Sequence, residues 1–174
     1  QDTMTDAEPR LQVLLIEDDE DDVLITRELL EDSRVPFEIE WVDTAEAGLE
    51  ALRKGIADVA LVDYRLGPES GIGLIRKARE EAINTPLILL TGHGDAELAQ
   101  RALEIGASDY LVKGLVDARS MIRSIRYAID RSVAVARLSQ SEARYRVIFD
   151  SNPVAMMLIE PDTRTVLSLN ESAQ

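Results

Sequence analysis

Glu17 and Asp18 follow the apolar run Val13-Leu14-Leu15-Ile16, and Asp63 follows Val59-Ala60-Leu61-Val62. Thr91 follows Leu87-Ile88-Leu89-Leu90, and Lys113 follows Tyr110-Leu111-Val112. An acid pair, an acid, a hydroxyl and an ammonium thus end four apolar runs in turn. If those runs are neighbouring strands of one parallel sheet, all five residues gather at a single edge. Hard cations such as Mg2+ take oxygen ligands, usually one or two carboxylates with water and phosphate. Asp18 and Asp63 can bind such a cation directly, and Glu17 through water. Crowded carboxylates repel one another, and a cation relieves that. Phosphoryl transfer needs mainly positioning and neutralisation of the phosphoryl oxygens. The cation would supply one contact, the Lys113 ammonium a second and the Thr91 hydroxyl a third. Asp63 is then the nucleophile, giving an aspartyl phosphate.

Taken singly, each residue has a plainer reading. Glu17 to Asp22 reads equally as a solvated acidic run capping a helix, Thr91-Gly92 as turn chemistry, and Lys113 as a solvated strand end. Their joint occurrence, in order, at four strand ends is what favours the cluster.

The elements that must position them alternate along the chain. Leu11 to Ile16 reads as a buried strand, and Asp21 to Glu31 as a helix with Val23, Leu24, Leu29 and Leu30 as its apolar stripe. Phe37, Ile39 and Trp41 alternate with glutamates, as in a strand with one exposed face. Asp43-Thr44-Ala45-Glu46 spells a capping box, with Ala47 to Lys54 continuing that helix to Gly55. Val59 to Val62 is a second buried strand, and Leu66 to Gly71 a turn-rich loop. Ile72 to Ala82 is a helix, Leu87 to Leu90 a strand, Ala96 to Ile105 a helix, and Asp109 to Val112 the last strand. Five strands alternating with helices predict an α/β fold, a doubly wound parallel sheet with right-handed crossovers. In such sheets the ligand site lies outside the carboxyl ends of the strands, where their order reverses.

From Asp117 the pattern changes. Ile122, Ile125, Ile129, Val133 and Ala136 recur at helical steps, and no Gly or Pro appears between Leu115 and Asn152. This predicts one long helix extending beyond the sheet domain, of the kind that pairs as a short coiled coil. The alternative is a helix packed on its own domain and frayed past Ile129. Pro153 ends the stretch, and Val154 to Ile159 and Val166 to Leu169 read as two strands around Pro161-Asp162-Thr163. Two strands cannot bury a core of their own. The expected organisation is therefore a flexible terminus over 1–10, a sheet domain over 11–131, a helical linker over 132–150, and the start of a further domain over 151–174.

The whole chain has 174 residues, 45% of them apolar, enough for one core plus an appendage. No apolar stretch is long enough to cross a bilayer, so no membrane contact is expected. The absence of cysteine removes disulfide and thiol chemistry and fits a reducing cytosol. Formal net charge is −14, which on average repels nucleic acid and anionic lipid.

Residues from about Leu11 to Arg131 resemble the receiver domains of bacterial two-component response regulators. Leu14-Leu15-Ile16-Glu17-Asp18-Asp19 is similar to the family's acidic-pair motif, and Leu61-Val62-Asp63-Tyr64 to its phosphoacceptor motif, with Gly71 at the usual distance. Leu89-Leu90-Thr91-Gly92 resembles the switch-hydroxyl motif and Asp109-Tyr110-Leu111-Val112-Lys113 the aromatic-plus-lysine motif. The resemblance implies a flavodoxin-like fold in which Asp63 accepts phosphate from a histidine kinase or histidine phosphotransfer protein. It implies Mg2+ held by Glu17, Asp18, Asp63 and the Arg65 carbonyl. It further implies that Thr91 and Tyr110 reorient on phosphorylation, altering the surface of the fourth helix, fifth strand and fifth helix. That surface, with the linker helix, would support a homodimer.

Three departures stand out. Gly114 replaces the proline that commonly follows the lysine in a cis peptide, Pro68 falls one place later than usual, and Arg65 and His93 occupy the two variable positions tied to dephosphorylation rate. His93, the only histidine, follows a strand and a glycine rather than sitting on a helix, so this chain would receive phosphate and not donate it. From Ser141-Glu142-Ala143-Arg144-Tyr145-Arg146 through Phe149-Asp150-Ser151-Asn152-Pro153, with Asn170 and Ala173, the tail resembles the opening of a PAS sensor domain. That implies a natural protein continuing past Gln174, in which the receiver switches a downstream output and is not itself an enzyme. Two rivals remain. A haloacid-dehalogenase-type phosphatase also forms an aspartyl phosphate but wants a second acid where Arg65 stands. A degenerate receiver would serve only as a phosphorylation-independent dimerisation scaffold.

Overall fold

The computed structural model describes residues 10–92 and 96–173; the expected flexible terminus, apart from Arg10, and His93 lie outside them. In chain order the first unit contains β1 (Leu11–Ile16), α1 (Glu20–Asp32), β2 (Phe37–Val42), α2 (Ala45–Lys54) and β3 (Val59–Asp63). A two-residue pair follows, β4 (Arg65–Leu66) and β5 (Glu69–Ser70), then α3 (Gly71–Glu80), β6 (Leu87–Thr91), α4 (Ala96–Glu104) and β7 (Asp109–Val112). The helix α5 spans Ala118–Asp150.

The main sheet is parallel, in the order β2-β1-β3-β6-β7. Its central strands are apolar throughout because both faces are covered. Val13 and Leu15 point to one side, where they meet Val23 and Leu30 of α1 and Met121 and Ile125 of α5. Leu14 and Ile16 point to the other, against Leu52 of α2, Leu74 and Ile75 of α3, and Ala102 of α4. A period of two along each strand thus feeds two separate cores. Each buried Leu or Ile contributes about 1.5–3 kcal/mol of transfer free energy. From β1 the chain steps to β2 on one side and then crosses to β3 on the other. The order therefore reverses between β1 and β3, whose last residues precede or include the predicted acids.

Several local expectations are corrected. The stripe of α1 is Val23, Thr26 and Leu30, at helical spacing, whereas Leu24 is 57% exposed. The cap of α2 is Thr44, whose Oγ1 accepts from the Ala47 N–H at 3.2 Å, so Glu46 stands in the first turn and not at the capping-box position. The loop after β3 is not irregular: β4 and β5 form a small antiparallel ladder, and α3 starts at once from Gly71 with Ser70 as cap.

At the amino edge of the sheet, Arg79 of α3 is a built feature. Its guanidinium donates to the carbonyls of Gly106 at 2.9 Å, Thr85 at 3.1 Å and Ile83, and so ties together the loops that enter β6 and β7. Gly106 has φ +108°, and a Cβ there would lie 2.9 Å from Arg79 Cγ.

The second unit comprises Val133–Gln174. It holds the remainder of α5 and the antiparallel pair β8 (Met157–Ile159) and β9 (Val166–Leu169), every residue of which is exposed. Asn170 is fully buried and ties this unit locally. Its side-chain oxygen accepts from the Met156 N–H at 2.8 Å, and its amide nitrogen donates to the Val154 carbonyl at 2.9 Å. Tyr145 and Phe149 stack with ring centres 5.6 Å apart. Among the described residues, no helix is long and apolar enough to cross a membrane.

Candidate functional site

Because the strands are parallel and in register, their carboxyl ends align. Ile16 of β1 pairs with Val62 of β3, Asp63 with Leu90 of β6, and Thr91 with Val112 of β7. The residues that follow or close these strands, Glu17, Asp18, Asp63, Thr91 and Lys113, are thereby carried to one edge, as the sequence implies.

Lys113 is the centre of the arrangement. Its Nζ lies 2.6 Å from Glu17 Oε2, 2.6 Å from Asp63 Oδ1 and 2.7 Å from Asp22 Oδ2. An ammonium has three donors, and three carboxylates take all of them. The other acid oxygens are also oriented. Asp63 Oδ2 accepts from the Arg65 N–H at 2.8 Å, Asp18 Oδ2 from the Gly67 N–H at 2.9 Å, and Glu17 Oε1 from the Asp19 N–H at 3.2 Å. The Trp41 indole N–H donates to the Glu17 carbonyl at 2.8 Å, which fixes the backbone where β1 ends.

Glu17, Asp18 and Asp63 each offer an oxygen within 4.8 Å of the others. At an effective dielectric of about 20, two unit charges that far apart repel by about 3.5 kcal/mol. With Asp22 included, four carboxylates face one ammonium, so the set remains electron-rich after Lys113 is counted. Glu17 registers the crowding: burial, and secondarily the charge of Asp63, push its carboxyl up from 4.5 to about 7 despite the Lys113 hydrogen bond. Burial alone would lower the Lys113 pKa, yet its bonds to Asp22, Asp63 and Glu17 hold it above the usual lysine range. An all-oxygen donor set with surplus negative charge fits a hard divalent cation such as Mg2+.

The remaining predicted residues sort clearly. Thr91 is buried at the end of β6, and its carbonyl accepts from the Lys113 N–H at 2.7 Å, joining the two strand ends. Arg65 borders the site through its N–H on Asp63. Tyr110 is in β7 and 37% exposed in this conformation. Gly71 is required by close approach: a Cβ there would sit 2.1 Å from the Asp63 carbonyl oxygen. Gly114 has φ +78°, which proline, held near −65°, cannot adopt. The loop leaving β7 therefore has its own geometry at the position where proline is usual.

Asp22 is the residue that sequence reasoning missed. Its signal was the N-cap: Asp19 caps α1, accepting from the Asp21 N–H at 2.9 Å, which places Asp22 at the third helical position. One turn from the cap, it shares the side of α1 nearest the end of β1.

Comparison with known proteins agrees with this geometry. A sequence profile described as the response regulator receiver domain matches residues 13–126. The chain is similar to the transcriptional regulatory protein FixJ of Bradyrhizobium diazoefficiens, 36% identical over 106 residues that cover 58% of this chain and 52% of that protein. It is also similar to the transcriptional regulatory protein DltR of Streptococcus agalactiae serotype III, 28% identical over 116 residues covering 67% of this chain and 50% of that protein. The chain thus spans about half the length of these relatives. Among solved structures, a response regulator receiver domain protein from Clostridium thermocellum superposes with a TM-score of 0.64 at 28% identity, covering 72% of this chain and 98% of that one.

Proposed function

The chain belongs to the response regulator receiver domain family, and from that premise we propose that Asp63 is the phosphoacceptor of a switch within a larger two-component signalling protein. The observation that carries the reading is the 2.6 Å contact of Lys113 with Asp63 beside the Glu17–Asp18–Asp63 oxygens. In the transfer, an Asp63 oxygen forms a bond to phosphorus as the bond from phosphorus to the donor nitrogen breaks. The Arg65 N–H on Asp63 Oδ2 and the Lys113 ammonium on Oδ1 hold the carboxylate in place for that attack. Lys113 then turns a donor toward a phosphoryl oxygen, and the Thr91 hydroxyl engages another. Glu17, Asp18, Asp63 and the Arg65 carbonyl would hold Mg2+, whose chemistry here is neutralisation of the phosphoryl charge.

Recruitment of Thr91 vacates space for Tyr110 to turn inward, which biases a two-state packing equilibrium on the face of α4, β7 and α5. The exposed position of Tyr110 supports that reading. The phosphodonor would be a histidine kinase or a histidine phosphotransfer protein, in the cytoplasm. A homodimer through that face and the later part of α5 would transmit the change, and residues 151–174 would belong to a PAS-like module.

Incubation with Mg2+ and a small-molecule phosphodonor, followed by intact mass, tests the proposal. Gain of one phosphoryl group by the parent and none by Asp63→Asn is the expected result. No gain, with Mg2+ binding confirmed, would instead support a phosphorylation-independent scaffold.

A further inference from the structure

Asp22 has no role in the phosphoryl transfer proposed above, yet it is one of three carboxylates on Lys113, at 2.7 Å. Its side chain is 33% exposed, against 1% for Glu17 and 8% for Asp63, so it is the outermost of the three. Glu17 and Asp63 belong to the oxygen set within 4.8 Å that suits a divalent cation, and Asp22 does not. Loading that set therefore changes the partners of Lys113 unequally. A divalent cation draws on the Glu17 and Asp63 oxygens and repels the ammonium, while Asp22 stays available to Lys113 alone. The lysine has four rotatable bonds, so regained side-chain entropy favours its release from the site. The following Gly114, with φ +78°, adds no side chain to confine it.

We infer that Asp22 is a positioning residue, which keeps the Lys113 ammonium at the phosphoryl site when a cation takes over Glu17 and Asp63. The inference rests on the receiver reading of the site. Asp22 acts through Lys113 and does not itself touch the phosphoryl group. Without it, Lys113 falls back on Glu17 and Asp63, away from the phosphoryl site, and competes with the cation.

Two measurements test this on the full chain. The first is the rate of phosphoryl gain at saturating Mg2+ for the parent, Asp22→Asn and Asp22→Glu. Removing a negative charge would by itself favour an anionic phosphodonor, so slowing has the opposite sign to a mere charge effect. A fall of about tenfold in Asp22→Asn, with recovery in Asp22→Glu, is expected for a misplaced ammonium. The second is Mg2+ affinity, read from the fluorescence of Trp41, the only tryptophan, whose indole donates to the Glu17 carbonyl. Asp22→Asn should weaken Mg2+ by about tenfold in the parent and clearly less in Lys113→Gln, the difference measuring the coupling of the two residues. Equal weakening in both backgrounds, or an unslowed Asp22→Asn, overturns the inference. Asp22→Ser replaces Asp22→Asn if the latter does not fold. No phosphoryl gain in the parent would overturn the phosphoacceptor reading and this inference together. Gain in the parent with unchanged Asp22 variants would overturn the inference alone.

Discussion

The two edges of the sheet each hold a largely buried cation, and the two are treated in opposite ways. At the carboxyl edge Lys113 faces three carboxylates at 2.6–2.7 Å and is held more basic than usual. At the amino edge Arg79 bonds the backbone carbonyls of Ile83, Thr85 and Gly106, and burial makes it less basic than usual. Carbonyls satisfy a guanidinium without adding charge, so the Arg79 arrangement is complete as it stands. Carboxylates in excess of one ammonium leave charge over, so the Lys113 arrangement calls for a further cation. Completeness fits a structural cation, and surplus fits the role proposed for Lys113.

That contrast is sharpest in phosphorylation. Lys113→Gln should slow phosphoryl gain at Asp63 by about a hundredfold or more, as loss of a charge-stabilising donor does. Arg79→Gln should leave the rate unchanged, and comparable slowing in both variants would erase the distinction. Stability separates them differently. Without divalent cation, Lys113→Gln should lower the unfolding free energy by about 3 kcal/mol, because three carboxylates lose their partner. Mg2+ should restore much of it by binding the folded state. Arg79→Gln should cost about 2 kcal/mol through unsatisfied carbonyls, with no extra recovery in Mg2+. Urea unfolding with and without Mg2+ reads both.

The pH response should also belong to the carboxyl edge. Glu17 is raised in the folded state from 4.5 to about 7, so between those values the folded protein binds the extra proton. Its contribution to stability is therefore present at low pH and lost as pH rises through 7, by on the order of 2 kcal/mol. Saturating Mg2+ binds the ionised carboxylate and should reverse that slope. A cation-independent slope would place the titration elsewhere. The smallest effect is expected at Gly106→Ala. A positive φ and a flexible Arg79 that can shift by a few tenths of an ångström predict a loss of about 1 kcal/mol in thermal or urea unfolding, without change in phosphorylation.

The carboxyl edge was largely legible in the sequence and the amino edge was not. Glu17, Asp18, Asp63, Thr91 and Lys113 each follow or close an apolar run, and parallel strand ends must align, so order along the chain became position in space. Asp22 escaped because a run of acids reads as solvated until the helix phase is known. Arg79 escaped because its partners are carbonyls, which every residue carries and no residue type announces. The stripe of α1 was misassigned where Leu24 outranked Thr26 by hydropathy, although burial followed geometric phase. The small ladder of β4 and β5 was hidden by Gly67-Pro68, which signals a turn whether or not strands flank it.

The Lys113–Glu17 contact spans 96 residues of chain, and β7 is one of the two edge strands of the sheet. That distance has a consequence for folding kinetics. Loop closure over so long a separation comes late and slowly compared with local pairing. A nascent chain that has formed β1, β3 and β6 already juxtaposes Glu17, Asp18 and Asp63, with their repulsion unrelieved by any residue yet docked. Docking of β7 brings in the missing ammonium and closes the hydrophobic face of α5 in the same step. The lysine proposed for the site thereby also couples charge relief to the docking of β7, and a chain halted before Lys113 carries the acidic cluster without its counterion.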